Sequence, residues 1–376
     1  MQQLLQVSAF FDGETLHKNC VVELLDGRVI HTEEIQGHHP KAEQIQGLMA
    51  PGLIDVQVNG GGGVLLNVAP SIDTLEAMFN AHAQFGTTAM LPTLITDDVE
   101  VMEQTADVIS AALADKLPGI IGVHFEGPHL SVPKKGVHNA SFIRPITERE
   151  MAVFCRQDLG NVIVTLAPET VSPDDISRLV AAGVHVCLGH SNADFDTVTK
   201  ALNAGATGFT HLFNAMSAFQ SREPGMVGAA LLDDNSWCGV IVDGHHVHYD
   251  ALKLAIKAKS AGKIMLVTDA MSPVGSDEDS FDLLGARVLR NGDRLNATTG
   301  ELAGSCLDMA RAVKNTIEKL QQPVTEALRM ASLYPAQFLH QDKTLGHLKV
   351  GAAADFVIFD DDFNVTQTWV NGARLF

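Results

Sequence analysis

VHVCLGHS at 184–191 and GFTHLFNA at 208–215 are two short apolar runs, one helix length apart, and each carries a histidine at its downstream end, His190 and His211. Working outward, the same texture recurs six more times: GLIDVQVNG (52–60), TTAMLPTL (87–94), IIGVHFEG (120–127), VIVTLAPE (162–169), WCGVIVDG (237–244) and KIMLVTDA (263–270). Helical patterns separate these runs, among them SIDTLEAMFNAHAQFG with Ser71 placed to cap, DDVEVMEQTADVISAALAD, SPDDISRLVAAG, Asp194–Gly205 and YDALKLAIKAKSAG. Strand alternating with helix about eight times is the signature of an α/β fold of the TIM (β/α)8 barrel type. The strands read as near-continuous apolar runs because both faces are covered.

The two ends of the chain differ. VVELLDGRVI near the start turns at Asp26-Gly27, and the stretch from LGHLKVG to the terminus turns at Asn371-Gly372, so both read as hairpins rather than βα units. The expected division is a small β-sandwich domain built from 1–48 plus 344–376, and a barrel over 49–343. FDLLGARVLRNGDRLNATTGELAG, after the eighth run, reads as an inserted hairpin.

In a parallel barrel the C-terminal strand ends converge on one face, so polar residues from distant segments meet there. Glu126, His190, His211 and Asp269 all occupy such ends. Two imidazoles and a carboxylate suit a divalent cation with an open position, and a second carboxylate is a base for its water, the set that a metal-assisted hydrolase needs. Where many barrel hydrolases carry His-x-His on the first strand, this chain has Gln57 and Asn59. Neutral amides are poor ligands beside imidazole, so these two residues mark at most a vestigial second metal site, and one metal is expected.

With 26 basic and 45 acidic residues the 376-residue chain has a formal net charge of -19, which opposes phosphate backbones and anionic lipid; no nucleic acid and no membrane are expected as partners. The five cysteines are odd in number and never in CxxC spacing, which disfavours both a disulfide framework and a cysteine metal site. No apolar run approaches a membrane span, and the first residues lack the pattern of a secretory signal; a cytoplasmic protein is expected. The run Gly60-Gly61-Gly62-Gly63 lacks the Lys-Ser/Thr of a P-loop and reads as a flexible, lid-like turn.

Ten motifs in order along the barrel carry a family resemblance: PGLIDVQVNG, LPTLIT, HFEGPHL, KKGVHN, VTLAPE, GHSNA, THLFNAM, REPGMVGA, IVDGHHV and VTDAM. Through them the chain resembles the N-acetylglucosamine-6-phosphate deacetylases of the amidohydrolase superfamily. The resemblance implies that Glu126, His190 and His211 hold one divalent ion per subunit, zinc, and that Asp269 is the general acid/base. It further implies that Asn214 and Ala215 form a backbone cradle for the phosphate, that Arg222 clamps it, and that His138 and His246 contact the substrate. Leu302, Ala303 and Gly304 lie where the family closes a loop over the sugar. An amino-sugar phosphate is then the small-molecule partner, and a homodimer is implied, with Arg222 or His138 reaching a neighbouring site. The alternatives are the galacto epimer of the substrate, a cyclic-amide hydrolase or aminohydrolase on the same barrel, and a catalytically silent scaffold. His245 and His248, beside His246, are read as lying outside the metal site.

Overall fold

All eight apolar runs form strands of one parallel sheet in the computed structural model, which describes residues 2–376. In chain order the barrel strands are Leu53–Val58, Thr87–Ile95, Gly122–Glu126, Asn161–Leu166, His185–Leu188, Gly208–Phe209, Trp237–Val240 and Ile264–Leu266, and each pairs with its predecessor. The seam between the first and last strands is sealed just beyond their ends, where the Asp269 N–H donates to the Gln57 carbonyl (3.0 Å) and the Asn59 N–H to the Ala270 carbonyl (2.9 Å). That seam places Gln57, Asn59 and Asp269 side by side.

The intervening helices follow from their capping and apolar stripes. Ser71 begins the helix Ile72–Ala83 by accepting from the Thr74 N–H, as its sequence predicts, and Leu75, Met78, Phe79 and His82 turn inward. Asp194 does the same for Phe195–Asn203, which buries Val198 and Ala201. The resulting core runs through every barrel strand and its covering helices.

Strands from the two chain ends join in one seven-stranded sheet, ordered Ala373–Arg374, Val365–Val370, Phe356–Phe359, Glu43–Pro51, Gln2–Phe11, Leu16–Leu25 and Arg28–Glu34. Alternate residues such as Leu5, Val7, Cys20, Val22, Leu24, Phe356 and Ile358 form an apolar cluster separate from that of the barrel. Both expected turns have positive φ at their two central residues: Asp26 (48°) and Gly27 (76°), Asn371 (50°) and Gly372 (71°). They also touch, since a β-carbon on Gly27 would lie 2.8 Å from the Asn371 carbonyl oxygen.

The insertion after the eighth strand is a three-stranded antiparallel flap, Ser280–Leu283, Ala286–Asn291 and Arg294–Ala297. Its Phe281, Leu283, Val288 and Leu295 pack with Leu65, Ile95 and Met271 in a third apolar cluster. No described helix is long and apolar enough to cross a membrane.

Candidate active site

Three buried side chains from three strand ends meet at one point. Glu126 Oε1 lies 3.1 Å from His190 Nε2 and 3.0 Å from His211 Nε2, and the two imidazole nitrogens are 3.0 Å apart. Donor atoms sitting about 2.0–2.2 Å from a tetrahedral cation lie roughly 3.3–3.6 Å from one another, so this triangle needs little expansion to take one. Glu126, His138 and His190 form a second, looser group whose ligand atoms fall within 4.8 Å of one another. The triangle is the tighter of the two groups; in the looser one His138 Nδ1 is engaged by the Thr96 hydroxyl at 2.8 Å.

The orientation of His190 is fixed from behind. Its Nδ1 lies 2.9 Å from the Lys134 carbonyl, which can only accept, so Nδ1 carries the proton and Nε2 presents its lone pair. Burial pushes the Glu126 carboxyl up, but the hydrogen bonds and charge of the two histidines outweigh it and hold the group well below its usual value. His211 is lowered by burial and raised more strongly by Glu126, for a net upward shift.

Asp269 shares the cavity. Burial and then the charge of Glu126 push its carboxyl up to about 6, against the opposing pull of His211, His246 and Asn59. Its Oδ1 accepts from Asn59 Nδ2 (2.7 Å) and Gln57 Nε2 (3.3 Å), and Gln57 Nε2 also reaches Glu126 Oε2 (3.2 Å). The two amides therefore turn N–H groups, not ligand oxygens, toward the carboxylates. In this arrangement Gln57 and Asn59 act as hydrogen-bond donors to Asp269 and Glu126.

His190 (φ 47°), His211 (32°), Phe213 (79°), Ala215 (50°) and Asp269 (53°) all adopt left-handed backbone conformations that side chains rarely take. Such strain collects where the surroundings over-determine a functional geometry.

The cavity of about 170 Å3 is lined by Glu126, His138, His190, His211, Asn214, Ala215, His246, Asp269, Leu302 and Gly304, with Ile95, Val137 and Met271 on its apolar side. His246 is tied to Asp243 through Nδ1 (2.6 Å), which leaves Nε2 for a ligand. The Asn214 N–H is spent on the His211 carbonyl (3.0 Å), so of the expected cradle only the Ala215 N–H is uncommitted among the described residues. Ala303 is fully buried in the flap cluster, so its side chain packs there while Leu302 and Gly304 line the cavity. Arg222 is exposed on the loop before the helix Gly225–Leu232 and does not line the cavity of its own chain.

His245 pairs with Asp293 at the tip of the flap (2.8 Å) and His248 caps the helix Tyr249–Ala258, both outside the cavity as expected. The glycine run is an ordered clasp instead of a flexible lid: the Gly60, Gly62 and Gly63 N–H groups donate to the Ala270, Val274 and Ser272 carbonyls. Sequence reasoning missed two buried groups beneath the site. His124 donates from Nδ1 to the Val56 carbonyl (3.0 Å) and accepts from the Thr165 hydroxyl (2.7 Å), and burial pushes it down to about 4. Asp55 accepts from Gln57 and Thr268, and burial pushes it up to about 7. The alternation of GLIDVQVNG places Asp55, Gln57 and Asn59 on one face, a signal that was available in the sequence.

The sequence matches the Amidohydrolase family over residues 48–375. It is 49% identical over 366 residues to the N-acetylgalactosamine-6-phosphate deacetylase of a Shewanella species, covering 96% of this chain and 93% of that one. It is 36% identical to the N-acetylglucosamine-6-phosphate deacetylase of Haemophilus influenzae, over 92% of this chain and 93% of that one. The crystal structure of N-acetylglucosamine-6-phosphate deacetylase from Pasteurella multocida superimposes with a TM-score of 0.96 at 34% identity, covering 100% of this chain and 99% of that one. The chain therefore belongs to the amidohydrolase family, among its amino-sugar-phosphate deacetylases.

Proposed function

We propose that the protein hydrolyses the N-acetyl group of an N-acetylhexosamine 6-phosphate, releasing acetate and the free amine. N-acetylglucosamine 6-phosphate is the substrate implied by the sequence motifs. The galacto epimer is the second reading, favoured by the higher identity to the Shewanella relative. The observation that carries the proposal is the triangle of Glu126, His190 and His211 with Asp269 in the same cavity.

A divalent cation held by Glu126, His190 and His211, zinc in this reading, supplies Lewis acidity to a water molecule and to the acetamide carbonyl. Asp269 does the proton work. With Oδ1 held by Asn59 and Gln57, its other oxygen takes the proton of the attacking water and returns it to the amine nitrogen as the C–N bond breaks. His138, with Nδ1 turned to Thr96, offers Nε2 to the acetamide oxygen. The Ala215 N–H and His246 Nε2 face the rest of the sugar phosphate.

The cavity of this chain contains no lysine or arginine, although its proposed substrate is a phosphate. Arg222 stands exposed nearby in sequence to the Ala215 turn, on a loop that also carries Phe219 at 66% exposure. These features support a homodimer in which Arg222 completes the site of its partner. The five free thiols accord with a reducing, cytoplasmic location. The division into a small β domain, 1–48 plus 344–376, and a barrel, 49–343, is supported by the separate apolar cluster on one face of the seven-stranded sheet, while Phe11, Val357, Phe359 and Val370 from its other face join the barrel core.

The direct test measures acetate release from both epimers, before and after complete removal of metal by a chelator. Release that depends on metal is expected. Release that survives metal removal contradicts the mechanism, and a metal-loaded protein with no activity on either epimer leaves the scaffold reading.

A further inference from the structure

Glu169 is an exposed carboxylate at the end of VTLAPE, and nothing in the proposed chemistry uses it. Its two oxygens nevertheless hold the turn that carries His190. Oε2 accepts from the Ser191 hydroxyl at 2.6 Å, and Oε1 accepts from the Asn192 N–H at 2.7 Å. With its proton committed to Glu169, the Ser191 hydroxyl accepts in turn from the Ala193 N–H at 3.0 Å.

Ser191 is fully buried and is bonded on its other side to the Ala215 turn. Its N–H donates to the Ala215 carbonyl at 3.0 Å, and its carbonyl accepts from the Ser217 N–H at 3.0 Å. The Ser217 hydroxyl then donates to the Ala193 carbonyl (2.6 Å) and accepts from the Met226 N–H (2.7 Å), at the start of the helix that follows the Arg222 loop. His190 at φ 47° and Ala215 at φ 50° are thus two strained residues held by one set of bonds, and Glu169 supplies its only charged member.

We propose that Glu169 is a positioning residue that couples the His190 metal ligand to the Ala215 turn, so that metal affinity and recognition of the substrate's phosphate depend on one carboxylate. The assignment rests on the deacetylase reading for the identity of the phosphate, but not for the coupling to His190.

Glu169→Ala is the informative change, because it removes both acceptors at once; a glutamine could keep the Asn192 N–H on its oxygen and turn its NH2 to the Ser191 hydroxyl, which accepts as well as donates. Ser191→Ala is the second variant, and Glu148→Gln, an exposed carboxylate paired with Arg178, is the control. Zinc affinity is measured by competition with a chromophoric chelator. The kcat and KM are measured on an N-acetylhexosamine with and without its 6-phosphate.

Both site variants are expected to keep the wild-type circular dichroism spectrum and to bind zinc about tenfold more weakly, at the low end of losses when the support of a metal ligand is removed. KM is expected to rise about tenfold for the phosphorylated sugar and to stay within twofold for the unphosphorylated one, in line with an order-of-magnitude positioning effect. The control should match wild type. Zinc affinity within twofold of wild type in both variants overturns the proposal, as does an equal KM change on both sugars. Wild-type protein that releases no acetate from either epimer removes the deacetylase reading, while the zinc competition still decides whether Glu169 supports His190.

Discussion

At the level of single residues, two buried carboxylates one register apart do different work. Asp269 must be ionised to accept a proton, and its carboxyl sits at about 6 because of burial and the charge of Glu126. Activity should therefore fall as pH drops through about 6; a cation bound beside it favours the ionised form and moves this limb lower. Asp269→Asn keeps the shape, the burial and the three ligands but removes the base. We expect turnover to fall by at least about 10^2 to 10^4, the usual contribution of a general base, with metal content unchanged. A variant retaining more than a tenth of wild-type kcat would remove Asp269 from the chemistry. Asp55 lies deeper, raised from its ordinary 3.8 to about 7 by burial. Over that window the folded protein binds more protons than the unfolded chain, so stability from this residue is present at low pH and is lost as pH rises toward 7. Asparagine fits the same space: its oxygen keeps both N–H donors, and Thr268 can turn its hydroxyl to the Gln57 carbonyl 3.4 Å away. Asp55→Asn should flatten the dependence of Tm on pH between 4 and 7, and an unchanged slope in thermal unfolding scans would refute the assignment.

Among the elements, Leu302 and Gly304, which follow the flap, and Met271, which follows the eighth strand, line the cavity together, and Gly304 packs closely against Met271 and Asp269. It has φ +61°, and a β-carbon there would sit 2.6 Å from Met271 Cε and Cγ and 2.9 Å from the carbonyl oxygen of Asp269. Gly304→Ala should cost about 1–3 kcal/mol in denaturant unfolding, the scale of a strained backbone residue, and should lower kcat by displacing the Asp269 turn. Unaltered stability and kcat would show that this contact can relax freely. The strands themselves were legible because each apolar run closes on a polar residue, and barrel topology carries those ends to one face whatever their separation in sequence. Glu126 and His211 meet across 85 residues for that reason. What a strand end does not encode is the partner opposite it. Gln57 and Asn59 are ligand-like by position, yet they serve as donors because the closing seam sets them against Asp269 and Glu126. Ala303 follows the same logic, since neighbours in an extended segment face opposite ways, and the expected triplet splits into two cavity residues and one core residue. The glycine clasp was misread as mobile because its partners, 270–274, lie more than 200 residues away.

For the whole molecule, the difficulty is to bind a phosphate on a chain of net charge -19 whose own cavity lacks lysine and arginine. The long-range field repels a dianion, so a local cation must offset it, and a guanidinium gives bidentate hydrogen bonds as well as charge. Arg222 is the residue that the REPG motif assigns, but it stands exposed and outside the cavity. In the proposed dimer these facts are reconciled if each Arg222 serves the opposite subunit. Arg222→Ala alone should then raise KM for the phosphorylated sugar at least tenfold while leaving the unphosphorylated sugar nearly unaffected, the pattern for loss of a charged binding contact. Mixing supplies the sharper measurement. When Arg222→Ala and Asp269→Asn proteins are dissociated and reassociated together, about half of the dimers are hybrids if assembly is random, and in each hybrid one site pairs an intact Asp269 with an intact Arg222 from across the interface. Low-KM activity should therefore reappear, at about a quarter of the wild-type rate per subunit, since one subunit in four then has both groups. If Arg222 acted within its own chain, no site in a hybrid would be complete, and the mixture would show only the summed activities of its two parents.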